Sequence, residues 1–262
     1  MEDAKLAGQK FEQLVKILDT LRGKSGCPWD KEQDEQSISN YFLEEVYEAL
    51  EAILSGDVPS VAEELGDVLM EVVFLARIYK EKKAFMMSDV VENINQKMIR
   101  RHPHVFGGKT IASSSEVLDA WNQGKQQEKK RKSLFDGIVK CAPALHSAYQ
   151  IGLRVSSYGF DWENPSGALE KVKEEVSELE SAMKIETKEH IFQEIGDAFF
   201  ALTNVSRKLG VNPEIALKKA NEKFMLRFEF LEKELAEKGK SLGEASLEEM
   251  DEIWEQIKDR EA

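Results

Sequence analysis

One acidic pattern occurs twice in the 262-residue chain, and it dictates helices whose charged faces must meet. Glu44-Glu45-Val46-Tyr47-Glu48 is followed, after fifteen residues, by Glu64-Leu65-Gly66-Asp67. Glu174-Glu175-Val176-Ser177-Glu178 is followed, again after fifteen residues, by Glu194-Ile195-Gly196-Asp197. Both read EExxE-x15-ExxD. Downstream, Asn95, Lys97 and Arg101 recur as Asn221, Lys223 and Arg227. The acids recur 130 positions on and the basic triplet 126 positions on, which one indel explains. A duplicated domain is the simplest account.

Residues three apart share one helix face. Glu175 and Glu178 therefore point the same way, as do Glu194 and Asp197, and the same holds for Glu45, Glu48, Glu64 and Asp67. Folded as an antiparallel hairpin, each pair of helices brings four carboxylates together. Like charges on neighbouring turns cost a helix ~0.2–0.5 kcal/mol per pair. Gathering two such pairs inside a bundle costs more unless a cation is present. The donors are all oxygen. The residues three before His102, His104, His146 and His190 are Ile99, Arg101, Pro143 and Thr187, so the Glu-x-x-His signature of ferritin-like di-iron bundles is absent. Hard oxygen donors suit Mg²⁺, or alternatively Mn²⁺, and Mg²⁺ keeps positions open for water and substrate phosphates. Lys223 and Arg227, one turn apart, are placed to take outer phosphate oxygens. Taken alone, one EExxE reads as a solvated face and one Lys/Arg pair as surface charge. Acids and bases recurring together, with one gap length, favour the metal site.

Apolar residues recur at helical spacing almost throughout. Phe11, Leu14, Val15, Leu18 and Leu21 mark one helix; Leu43, Val46, Tyr47, Leu50 and Ile53 a second; Val61, Leu65, Val68, Leu69, Val72 and Leu75 a third. A fourth runs from about Ser88, read as its N-cap, to Arg101, where His102-Pro103 stops it. In the second half the stripes are Val172, Val176, Leu179 and Met183; then Ile191, Ile195, Phe199, Leu202 and Val205; then Ile215, Leu217, Phe224 and Phe228 after an Asn212-Pro213 start. A short tail helix spans Ser246 to Arg260 and carries Trp254. No strand alternation is visible. The expected fold is all-α, with two tandem related helical-bundle domains, residues 1–123 and 134–262. The polar, basic run 124–133 between them reads as a linker.

The formal net charge of −13 argues against binding a phosphate backbone directly, so no nucleic-acid partner is expected. Two cysteines, Cys27 and Cys141, are too few for a disulfide framework and fit a reducing compartment. The most apolar segment, Val68 to Tyr79, is short of the ~20 residues of a membrane span and is interrupted by Glu71 and Arg77. With no signal peptide at the start, the expected location is the cytoplasm, without a membrane partner. Cys27-Pro28-Trp29-Asp30 has no second Cys or His pair at ligand spacing, which argues against zinc. Gly66 and Gly196 either allow a close backbone approach or are tolerated helix glycines, at ~1 kcal/mol each.

Together these residues resemble the MazG family of nucleoside triphosphate pyrophosphohydrolases, within the all-α NTP pyrophosphatase superfamily. The resemblance covers nearly the whole chain. It rests on Cys27-Pro28-Trp29-Asp30-Lys31-Glu32-Gln33, the two acidic patterns, Arg100-Arg101-His102-Pro103-His104-Val105-Phe106, Gly159-Phe160-Asp161-Trp162 and Lys219-Ala220-Asn221-Glu222-Lys223-Phe224. The layout is that of the long, two-domain bacterial form. The resemblance implies Mg²⁺-dependent hydrolysis of NTPs and dNTPs between the α- and β-phosphates, a house-cleaning or stress-related role, and homodimers that pack helical hairpins. It implies that the second half is the main catalytic one, with Glu175, Glu178, Glu194 and Asp197 as metal ligands. Lys223 and Arg227 match phosphate-binding positions and Trp254 a nucleotide-contacting one; His190 stands where some relatives carry a nucleotide-contacting lysine. Lys171 and Glu175 complete the expected substrate-binding set. Glu45, Glu48, Glu64, Asp67, Lys97 and Arg101 form the second candidate site.

The expected mechanism has Mg²⁺ binding the triphosphate and acidifying a water, with Glu174 orienting or deprotonating it for attack at the α-phosphorus. Catalysis by both halves is the next reading. A non-enzymatic acidic helical module that binds a basic protein partner is the rival from another class.

Overall fold

The computed structural model describes residues 2–108, 133–185 and 187–261. The expected linker, apart from Ser133, lies outside the described residues. The chain divides into two compact units, Met1–Lys129 and Lys130–Ala262. Among the described residues there are eleven helices and no strand.

The first unit holds α1 (Glu2–Leu21), α2 (Pro28–Glu32), α3 (Glu35–Ser55), α4 (Val58–Glu81), α5 (Met87–Arg101) and α6 (Pro103–Phe106). Asp34 starts α3: its carboxylate accepts from the backbone N–H of Gln36 and Ser37 at 3.0 and 2.8 Å. Such a cap is worth ~1 kcal/mol. Gly56 ends α3 at φ 78°, a left-handed turn that glycine adopts without a Cβ penalty, and α4 returns antiparallel beside it. Leu18 of α1, Ile38 of α3 and Val73, Phe74 and Ile78 of α4 form the core. Each such buried side chain contributes ~1.5–3 kcal/mol. Arg22 fastens this packing. Its guanidinium donates to Glu81 at 2.8 and 2.9 Å and to the carbonyls of Asp30 and Gln33, tying the end of α1 to α2 and α4.

The second unit holds α7 (Ala144–Ser156), α8 (Pro165–Ile185), α9 (Lys188–Lys208), α10 (Pro213–Glu237) and α11 (Leu247–Glu261). Helices α8 and α9 form the second hairpin, and α7 packs on α9. Gly152 makes that packing possible, since a Cβ there would stand 2.6 Å from Asn204 Oδ1 and 2.8 Å from Arg207 Nε. The Asn212 side chain accepts from the N–H groups of Glu214 and Ile215, and Pro213 fills the first helical position of α10. Leu231, Leu235, Ile253 and Ile257 join α10 to α11.

The helices expected from periodicity are present, with three differences. Helix α5 starts at Met87, and its first turn is closed by Asp89, which accepts from the Met86 N–H at 2.8 Å; Ser88 lies inside the helix. Helices α2, α6 and α7 were not among those expected: α2 and α6 are single turns, while α7 carries Leu145, Ala148 and Tyr149 at helical spacing beside the buried Gly152. The third difference concerns which face is buried. Both hairpins close through small residues (Ala49 and Ala52 on α3, Ala168 and Ala182 on α8, Ala201 on α9) while Leu43, Tyr47, Leu65, Val176, Ile195, Phe199 and Leu202 remain exposed. These members of the stripes therefore face outward from each unit, while Phe11, Leu14, Val15, Leu18 and Leu21 pack into the first unit's core with Ile38, Val73, Phe74 and Ile78.

Candidate active site

The two hairpins do bring acids together. Glu175 of α8 and Glu194 and Asp197 of α9 each offer an oxygen within 4.8 Å of the others, and Glu45, Glu64 and Asp67 do the same between α3 and α4. In the second half Glu175 is only 5 % exposed and the Glu194 side chain 12 %, while Asp197 opens to solvent. Glu178 stands exposed at the rim. Loss of water, then the charges of Glu175 and Glu194, hold its carboxyl above the ordinary range. In the first half Glu48 is likewise exposed. It shares a hydrogen bond with Glu64, whose carboxyl is raised by desolvation, then by Glu48 and Asp67. Glu45 is raised by burial, then by Asp67, Glu48 and Glu64. Mutual repulsion among carboxylate oxygens, the three of each converging group all being acids among the described residues, is the donor chemistry of a hard divalent cation.

The two clusters differ in what surrounds them. Lys171, one turn before Glu175, places its ammonium 2.8 Å from Glu174 and 2.7 Å from Glu175. The hydrogen bonds it donates to Glu174 and then to Glu175 raise its pKa further, so it stays charged. His190 Nε2 lies 3.0 Å from Glu194 Oε1. The positions of the first half that match Lys171 and His190 are Tyr41 and Ser60. The Tyr41 ring packs against Trp29, centroids 6.0 Å apart, and the Ser60 hydroxyl donates to Asp57 at 2.7 Å.

One acid near the site escaped the motif reading. Glu71 of α4, one turn after Asp67, is 4 % exposed, and its Oε2 is buried without a hydrogen-bond partner. Burial, then the charges of Glu45 and Asp67, push its carboxyl up to about 7. Its counterpart in the second half is Ala201. The signal in the sequence was there, since Glu71 is the first acid to break the apolar run from Val68 to Tyr79.

The basic residues sit on the neighbouring helices. Lys223 of α10 is exposed. Arg227, one turn on, lies over the Trp254 ring at 5.9 Å, and Phe224 packs on the same ring at 5.0 Å. Trp254 is half-buried, so it joins α10 to α11 while keeping an open edge. Lys97 and Arg101 are half-buried on α5. Gly66 and Gly196 are not approached: beyond their own helices and chain neighbours, no atom lies within 4 Å of where a Cβ would stand. Of the two readings for these glycines, the chain by itself supports the tolerated one.

Comparison with known proteins matches the model of the MazG nucleotide pyrophosphohydrolase domain to residues 33–106 and that of phosphoribosyl-ATP pyrophosphohydrolase to residues 156–224. The nucleoside triphosphate pyrophosphohydrolase/pyrophosphatase MazG of Thermotoga maritima is 43 % identical over 256 residues, covering 97 % of this chain and 98 % of that protein. The chain belongs to the MazG family of nucleoside triphosphate pyrophosphohydrolases. The nucleoside triphosphate pyrophosphohydrolase of Escherichia coli K12 is 41 % identical over 258 residues, covering 96 % of this chain and 98 % of that protein. Bacillus subtilis YabN is also 41 % identical and matches the whole chain with 54 % of its own length. The two-domain MazG layout thus runs nearly end to end. No helix among the described residues is long and apolar enough to cross a membrane.

Proposed function

We propose that this MazG protein hydrolyses NTPs and dNTPs between the α- and β-phosphates, releasing nucleoside monophosphate and pyrophosphate, and does so mainly in its second half (residues 134–262). The observation that carries the choice of half is the setting of its acids. Glu175, Glu194 and Asp197 converge beside Lys171 and His190, so anion-binding groups stand next to cation-binding ones. Both acid clusters are read as divalent-cation sites, for Mg²⁺ or Mn²⁺. A cation there supplies Lewis-acid polarisation of the phosphates and acidifies water. The chain's own residues do the rest. Lys171, Lys223 and Arg227 bind phosphate oxygens, and Trp254 offers a ring to the base. A phosphate that draws Lys171 away frees Glu174, whose exposed carboxylate then orients the attacking water and accepts its proton. Glu178 joins the three convergent acids when a cation relieves their repulsion. The role is control of the nucleotide pool, and the molecule is a homodimer whose hairpins cover their outward apolar faces. Phe192 at 78 % and Phe199 at 58 % exposure on α9 support that packing.

The test is product analysis by chromatography with an NTP and dNTP panel, with and without Mg²⁺, on Glu178→Gln and Glu48→Gln. Glu178→Gln is expected to lower turnover at least ~100-fold at unchanged helical content, and Glu48→Gln to leave most of it. Equal losses would mean that both halves catalyse. NDP plus phosphate as products would overturn the cleavage position. Absence of any Mg²⁺-dependent turnover would favour the acidic partner-binding module.

A further inference from the structure

We propose that Glu71 is a fifth carboxylate of the first-half cluster, making that cluster the stronger of the chain's two divalent-cation sites and one that fills without substrate. The inference rests on the reading that both acid clusters take a cation. Its first support is the Glu71 side chain. A carboxyl oxygen that is buried and unpartnered is disfavoured in an apolar setting, and Glu71 Oε2 is in that state. It stands one turn from Asp67 and within electrostatic range of Asp67 and, across the hairpin, Glu45. An acid so placed gains its missing partner when a cation, or water held by one, occupies the cluster.

The second support is independent of Glu71. In the second half any incoming cation must compete with the Lys171 ammonium for Glu175. That competition weakens cation binding until a polyphosphate gives Lys171 another anion. The first half has no such competitor at the matching position, since Tyr41 packs on Trp29. It has the extra acid where the second half has Ala201. Both differences favour the cation in the first half, and neither favours a triphosphate there. The duplicated domains have thus divided the work: one holds an ion, the other an ion with its substrate.

The experiment is titration of the full-length, EDTA-stripped chain with Mn²⁺, without nucleotide, reading free Mn²⁺ by electron paramagnetic resonance. Wild type is expected to show a tighter and a weaker class of site. Glu71→Gln should weaken the tighter class about tenfold or more and leave the weaker one alone. Glu71→Met should do the same. Its apolar side chain of similar volume also removes the buried charge, so in EDTA it should melt above wild type. Glu45→Gln should abolish the tighter class and Glu175→Gln the weaker. If Glu45→Gln acts but both Glu71 variants bind as wild type does, the role of Glu71 is overturned while the metal sites stand. If the tighter class follows Glu175, the ranking is overturned. If neither Glu45→Gln nor Glu175→Gln changes Mn²⁺ binding, the metal reading falls and this proposal with it.

Discussion

Asp161 sits in the turn that leads into α8, and replacing it by Asn tests how that helix is held. Its carboxylate accepts from Arg207 Nη1 at 3.1 Å, Arg207 Nη2 at 2.5 Å and Lys208 Nζ at 3.2 Å. Lys208 also donates to the Trp162 carbonyl at 2.6 Å, and the Trp162 ring lies over Gly167 so closely that a Cβ there would stand 2.8 Å from Cδ1. The Arg207 side chain is 6 % exposed and that of Asp161 21 %. Breaking a buried pair costs ~3–5 kcal/mol because one charge is left without its partner. Asn keeps a neutral acceptor and water reaches the Asp161 side, so the cost falls below that range, to about 2–3 kcal/mol. At ~1.36 kcal/mol per factor of ten, hydrogen exchange of the full chain should speed up roughly 30- to 150-fold for the slowest amides of α7 and α9. The double variant Asp161→Asn/Arg207→Met should recover part of the loss, because an apolar replacement of a buried pair is often neutral. Arg207, then Lys208, hold the Asp161 carboxyl below its usual 3.8. Its contribution is therefore complete above pH 3.8 and is lost as the pH falls through the lower folded value. The difference between wild type and Asp161→Asn should thus be the same at pH 7 and pH 5 and shrink only below about pH 3.8. Exchange within threefold of wild type at pH 7 would refute the reasoning.

Other expectations concern substrate and assembly. Lys171→Met removes the partner of Glu174 and Glu175; it should raise KM for NTP and, in Mn²⁺ titrations without nucleotide, tighten the weaker site. Unchanged metal affinity would show that Lys171 does not compete with the ion. Trp254→Ala loses the Phe224 and Arg227 contacts and should cost about 2 kcal/mol, less than the ~3–5 of a fully buried aromatic, with a KM increase that Trp254→Phe largely restores. Phe192→Lys charges the most exposed aromatic of α9 and should halve the mass seen by analytical ultracentrifugation; a wild-type monomer would remove the proposed dimer.

Much of the candidate site's geometry was legible because its acids are spaced by helix geometry. Glu175, Glu194 and Asp197 meet as the three-residue spacing and the hairpin require, and so do Glu45, Glu64 and Asp67. Glu178 and Glu48 carry the same spacing yet stand at the rim. Spacing sets the face of a helix, but the crossing of two helices sets which turn lies deepest. Glu71 was passed over because it lies outside the repeated motif. In a sequence, an acid within an apolar run looks the same whether it faces solvent or a cluster of other acids.

The sequence by itself determined the helices that carry the acids, the duplication and the meeting of the acids, because 3.6-residue periodicity and repeat spacing are local properties of the chain. Only the tertiary structure decided that buried alanines line both hairpins while Leu43, Tyr47, Leu65, Val176, Ile195, Phe199 and Leu202 face outward, since binary pattern records apolarity and not the neighbour that covers it. It also decided the unequal surroundings of the two clusters. Whether Lys171 reaches Glu175, and whether Glu71 is buried without a partner beside Asp67, depends on how packed helices exclude water, which no spacing encodes.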